Sequence, residues 1–131
     1  MSVRSDLITR ITTNLSGHSN VSISQELPFD SGGSPLYDKN LNVVYVDEQD
    51  IVVEQLYRTL DQGDVNQTTT TVNAYLSTDA KNQFNDINTV VANLLLSRNA
   101  ITNVTDSNSD YETEIVDDVI TYTFEYNFTT I

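Results

Sequence analysis

A chain of 131 residues has room for one domain around one modest core. Only 38% of the residues are hydrophobic, so part of the apolar surface that holds the protein together is expected between subunits. The formal charge of −13, from 19 acids against 6 bases, disfavours direct binding to DNA or anionic membranes, and the absence of cysteine excludes disulfides and thiolate metal sites. In chain order, Val3, Leu7, Ile8, Ile11 and Leu15 have helical spacing, which predicts a helix over residues 3–16 with Ser2 or Ser5 as cap. Gly17 is placed to stop it as a C′ glycine. Val21 to Ser24 alternates like a short strand.

The segment Leu27-Pro28-Phe29-Asp30-Ser31-Gly32-Gly33-Ser34-Pro35-Leu36 reads as a loop, since proline removes a donor and glycine frees φ. Leu27, Phe29, Leu36 and Tyr37 are apolar residues pinned within or beside it and make it a candidate docking loop. A strand over residues 41–47 follows, then a second over 51–60. In the second, Ile51, Val53, Gln55, Tyr57 and Thr59 fall on one face, with Val52, Glu54, Leu56, Arg58 and Leu60 on the other. Asp61-Gln62-Gly63-Asp64 reads as a turn. The β-branched run Thr68 to Thr71 supports a third strand over 65–77, closing a hairpin and placing Val72, Ala74 and Leu76 on one face.

A second helix is expected over residues 79–98, capped by Ser77-Thr78-Asp79, with Phe84, Ile87, Val91, Leu94, Leu95 and Arg98 on one seam. A polar connector spans 99–110. A long strand region then runs from Tyr111 to Phe128, interrupted by a bulge or hairpin turn at Asp117-Asp118. Ile120, Tyr122, Phe124, Tyr126 and Phe128 share its apolar face. The order predicts an α+β fold: a mainly antiparallel sheet with an N-terminal helix and a second helix packed on one face. The expected core joins Leu7, Ile11 and Leu15 to the second-helix seam over Tyr122, Phe124 and Tyr126.

No arrangement in the sequence signposts catalysis. His18 is the single histidine and reads as an exposed turn residue. Asp106-Ser107-Asn108-Ser109-Asp110 begins like a calcium loop, but Tyr111 stands where glycine is needed and Asp117 where a bidentate glutamate is needed, leaving a solvated acidic loop. Glu112, Glu114, Asp117 and Asp118 read as a solvated strand face rather than catalytic carboxylates. Gly32-Gly33 lacks the lysine of a phosphate loop. No catalytic, cofactor or metal site is therefore assigned. No run reaches the ~18 apolar residues of a membrane span, and residues 1–6 lack a signal-like apolar core, so a soluble, unsecreted protein is expected. Asp50, Asp61 and Asp64 crowd the ends of the middle strands and form a candidate acidic surface.

The layout resembles that of bacteriophage tail terminator (tail completion) proteins. The resemblance runs through the helix with Val3-Arg4-Ser5-Asp6-Leu7-Ile8, the loop with Leu27-Pro28-Phe29, and the strands with Asn42-Val43-Val44-Tyr45-Val46 and Thr69-Thr70-Thr71-Val72-Asn73-Ala74-Tyr75-Leu76. It continues through the helix of residues 80–98 and the closing strand, residues 120–128. No single motif in it is diagnostic. It implies a non-enzymatic, cofactor-free virion protein of the tail or neck, assembled in the host cytoplasm. Such proteins form a homo-hexameric ring that caps the tail tube, meets the head–tail connector and lets DNA through without specific binding. Asp50, Asp61 and Asp64 would then face the bore or the tube. Other readings are a different neck or head–tail connector protein or a baseplate subunit, a small α+β enzyme with a carboxylate pocket, and a calcium-dependent module on Asp106, Asn108 and Asp110.

Overall fold

The computed structural model describes residues 2–24, 29–36, 41–59, 63–83, 85–99, 101 and 104–131, apart from the side chains of Thr59 and Asp64. It is an α+β fold: α1 (Val3–Asn14), β1 (Ser22–Ser24), β2 (Val43–Thr59), β3 (Gly63–Asp79), α2 (Ile87–Leu96), β4 (Asp106–Val116) and β5 (Val119–Thr130). The strands form one sheet in the order β1-β2-β3-β5-β4. β1 runs parallel to β2, and the other pairs are antiparallel.

The core face follows from the period of two. Across the register, Val44 meets Leu76, which meets Tyr122; Val46 meets Ala74, which meets Phe124; Val72 meets Tyr126. All of these are buried, as is Phe128. The four aromatic residues of β5 form a column, with successive ring centroids 6.4–6.5 Å apart. Leu7, Ile8, Ile11 and Leu15 at α1, and Ile87, Val90, Val91 and Leu94 of α2, join them in one cluster, as the apolar periodicities predict. Burying a chain of this many Leu, Ile, Val and aromatic side chains stabilises by about 1.5–3 kcal/mol each before entropy is charged against it. Tyr126 reaches through this layer and donates its hydroxyl to the Leu94 carbonyl at 2.6 Å, so its one polar atom is satisfied within the core.

The start of α1 follows the sequence expectation, while its end and the start of α2 differ from it. Ser2 caps α1, accepting from the Ser5 amide at 3.1 Å. The C-cap is Leu15, and Gly17 carries no positive φ, so it is not the C′ glycine stop. α2 begins at Ile87, not at Asp79, because residues 77–79 belong to β3. The Asp79 carboxylate accepts the amides of Lys81 and Asn82 at 2.9 and 3.1 Å. That side-chain turn competes with helix, and the Asn/Asp-rich residues 82–86 have little propensity to oppose it. Phe84, expected in the core, lies outside the described residues.

Residues 43–59 form one strand rather than two, since β2 passes Asp47 and Glu48 as a bulge between Val46 and Gln49. Arg4 fills the bulge from α1: its guanidinium donates to the carbonyls of Asp47 (2.7 Å) and Val46 (2.9 Å), and its amide donates to Gln49 Oε1. The carbonyls that the irregularity turns away from the ladder thus find a charged partner. At the far side, Asp117 and Asp118, both at positive φ (50° and 66°), make the two-residue turn between β4 and β5. The hairpin turn is one of the two forms expected at Asp117-Asp118, but its first strand already starts at Asp106, within what was expected as a polar connector.

Candidate interaction surfaces

β2 and β3 are each 17 residues long, and the rest of the sheet does not follow them to their joined end. β1 pairs with β2 only as far as Tyr45, and β5 pairs with β3 only from Thr68 onward. Beyond those points, over residues 54–59 of β2 and 63–67 of β3, the hairpin projects as a two-stranded arm. Ile51, Val52 and Val53, just before it and opposite the last β3 residues that β5 still pairs, are 55–59% exposed, and Leu56 and Tyr57 on the arm are exposed as well. The register places Ile51 and Val53 on the face continuous with the core, and Val52 on the reverse. A second bulge, between Gln55 and Tyr57, inverts the alternation expected for residues 51–60: Tyr57 joins Val52 and Glu54, while Arg58 joins Ile51 and Val53. The distal part of β2, residues 51–57, therefore presents exposed apolar side chains on both faces.

β4, at the opposite edge, is exposed along nearly its whole length. Its outward face bears Asp106, Asn108, Asp110, Glu112 and Glu114. With Asn73, Thr123 and Glu125 of the neighbouring strands, Asp110 and Glu112 line a shallow cavity of about 210 Å³. The candidate calcium loop is thus a strand, and its side chains alternate between two faces instead of converging. Among the described residues no group of three or more His, Cys, Asp or Glu side chains is placed to hold a metal ion. The face is tied by neutral side chains: Thr71 donates to Asn127 at 2.8 Å, and Asn127 donates to Asn108 and Glu125 at 3.2 and 2.9 Å.

The residues singled out in the sequence are dispersed. Asp50 is exposed and lies well inside β2, opposite Thr71, not at a strand end. Asp64 is the second residue of β3, in register with Arg58, and Asp61 lies outside the described residues. Asp64 thus belongs to the two-stranded arm, while Asp50 lies where β3 still pairs with β5. Of the candidate docking residues, Leu27 and Tyr37 lie outside the described residues, Phe29 is exposed and Leu36 half-buried. Phe29 and Pro35 bridge the two sides of a tight turn, within which the Asp30 carboxylate accepts the amides of Gly32 (2.8 Å) and Ser34 (2.9 Å). Gly33 takes the positive φ (85°) that this turn requires.

His18 is not the exposed turn residue that the sequence suggested: its side chain is 13% exposed. Its Nδ1–H donates to the Asp86 carboxylate, and Asn93 donates to its Nε2 at 3.0 Å. The ring thereby ties the end of α1 to the N-terminal end of α2. The His18 hydrogen bond, with a smaller contribution from Asn20, holds the Asp86 carboxyl below its ordinary value of 3.8. Backbone amides of Lys81 and Asn82 lower Asp79 in the same way. Among the described residues the hydrogen-bond partners of the His18 ring are Asp86 and Asn93, and the group joins two helices.

Comparison with known proteins finds no matching family model and no matching curated protein.

Proposed function

We propose that this protein is a structural part of a phage virion, a tail terminator: a homo-hexameric ring that caps the tail tube, meets the head–tail connector and lets DNA pass unbound. The observation that carries the reading is the distal part of the β2–β3 hairpin, where Ile51, Val52, Val53, Leu56 and Tyr57 stand exposed over both faces in a chain that is otherwise strongly acidic. Exposed apolar strand of this kind is the signature of an assembly surface. The acidity supports the same reading, because a ring of copies each at −13 repels phosphate and lets a duplex slide. The role is non-enzymatic and needs no cofactor. Assembly takes place in the host cytoplasm, and the finished protein stays in the virion neck.

Native mass measurement with and without purified tail tubes, with negative-stain imaging of the same sample, tests this. A ring of six at tube ends is the expected result. Rings that ignore tubes but stack on a portal-side adaptor would move the protein to another position in the neck. A chain that remains monomeric in both samples refutes the reading. The acidic residues are tested separately: replacing Asp61 and Asp64 by Lys should leave the fold intact and give the ring a salt-dependent affinity for duplex DNA if they face the bore.

A further inference from the structure

β4 closes the sheet on one side, and among the described residues no strand pairs with its outer edge. The two-residue turn at Asp117-Asp118 makes Val116 and Val119 a hydrogen-bonded pair, so alternation turns the backbone groups of Ser107, Ser109, Tyr111, Thr113 and Ile115 outward. Near Asp106 this edge is closed. Arg98 donates to the Ser107 carbonyl and the Ser109 hydroxyl at 3.3 and 3.1 Å, and the Asp106 carboxylate accepts the Ser107 amide at 2.9 Å. Farther along, the Tyr111 amide is held by the carboxylate of the preceding Asp110 at 2.7 Å, a substitute that an incoming carbonyl can displace. From Asp110 to Val116 every residue is exposed.

The two faces of this open stretch differ. On the helix face, Tyr111 and Thr113 join Val91, Ala92 and Leu95 of α2 and Tyr122 of β5 around a groove of about 450 Å³. Ile115, 64% exposed, continues the same row. On the reverse face stand Asp110, Glu112 and Glu114, with Asp110 directly opposite Glu125 of β5, and like charges so placed repel. We propose that β4 takes an added strand from another protein: an extended segment that alternates apolar residues, set toward the α2 groove, with Lys or Arg, set toward Asp110, Glu112 and Glu114. The contact needs no ring and holds for one copy of the chain.

Charge selects this occupant over a second copy. Antiparallel pairing of two β4 strands centred anywhere from Asp110 to Glu114 sets acid opposite acid on the reverse face. Nor does another segment of this chain fit. Its six bases are Arg4, Arg10, Lys39, Arg58, Lys81 and Arg98, and no two of them are two residues apart, the spacing needed to meet Asp110 and Glu112 together. A foreign strand with bases at alternate positions meets those acids one by one. Its backbone continues the ladder at Tyr111, Thr113 and Ile115, the mode in which an extended peptide enlarges a sheet.

The test uses the full chain and a labelled synthetic peptide of alternating Lys and Val, as long as residues 110–116. Two controls accompany it: the same composition with the lysines grouped at one end, and the alternating peptide with its backbone N-methylated. Fluorescence anisotropy at low salt should show binding of the alternating peptide and at least tenfold weaker binding of both controls. Hydrogen exchange should slow at Tyr111, Thr113 and Ile115 and stay unchanged along residues 50–57. Glu112→Lys combined with Glu114→Lys should weaken binding at least tenfold with circular dichroism unchanged. Thr113→Pro, which removes an outward amide, should do the same. Should either variant fail to fold, the N-methylated peptide and the exchange pattern on the wild type still decide. Controls that bind equally well reduce the contact to charge alone, and protection on β2 moves it to another edge. Either result overturns the added strand, as does an alternating peptide that does not bind at low salt. Protection of the β4 amides on concentrating the chain alone gives the edge to a second copy and overturns the foreign partner.

Discussion

The two halves of the β2–β3 hairpin are made from similar residues and meet opposite fates. Val44 and Val46 are fully buried beneath the helices, while Val52 and Val53, a few residues along the same strand, are more than half exposed. The partner strand changes in step: Val72, Ala74 and Leu76 fill the core, and residues 65–69 are mostly polar with Thr and Asn. Side-chain chemistry in β2 does not distinguish the halves. What distinguishes them is the helix layer: Val44 and Val46 belong to the core cluster that α1 and α2 close, and Val52 and Val53 do not. One strand thus serves two purposes, anchoring at one end and offering itself at the other, and its apolar content is explained only when both are counted.

Substitutions can break this contrast or sharpen it. The largest effect belongs to the anchored half, where Leu94 seals the helix layer. Leu94→Ala should cost about 2–5 kcal/mol in denaturant unfolding. A loss under half a kcal/mol would mean that α2 does not hold the sheet. Val46→Ala should cost about 1–3 kcal/mol, whereas Val53→Ala should stay within about 0.5 kcal/mol for the monomer. Equal costs for the two valines would erase the distinction between the halves.

The anchored half should also carry the acid sensitivity. Asp79 and Asp86 have depressed carboxyl pKa values, so the stability they confer is complete above about pH 4 and is lost as pH falls through their lower folded values. Asp86→Asn should flatten that loss in acid unfolding curves, and an unchanged curve would place the acid sensitivity elsewhere. The smallest effect expected is on assembly: His18→Ala should lower the melting temperature, since it unties α1 from α2, yet leave sedimentation of the assembled form as it was.

The fold class, the core faces and the hairpin at residues 117–118 were legible because strict alternation and helical spacing survive in those stretches. Tyr122 to Phe128 and Val72 to Leu76 are the clearest cases, and both are buried as expected. What was not legible depended on local polar groups redirecting the chain. Residues 48–50 read as a gap between two strands, but the chain stays one strand through a bulge at Asp47-Glu48 that Arg4, far away in sequence, fills. Asp79 looks like a helix cap and instead closes a turn seven residues before α2. The exposed distal part of β2 carried one usable signal, the unbroken run Ile51-Val52-Val53, which abandons alternation and puts apolar side chains on both faces. His18 gave none, because its partners Asp86 and Asn93 are brought to it only by helix packing.

The hydroxyl of Tyr126 also makes the core optically readable. The chain has seven tyrosines and no tryptophan, so near-ultraviolet absorbance reports tyrosine alone. Burial pushes the Tyr126 phenol above its ordinary value of 10.0, while Tyr57 stands in solvent on the arm. An alkaline titration should therefore leave the Tyr126 phenol protonated above its ordinary value, and release it only when the sheet separates from α2. Since the folded value is the raised one, native stability falls as pH climbs past the unfolded value of 10.0. The last step in absorbance then times the opening of the helix layer without any label.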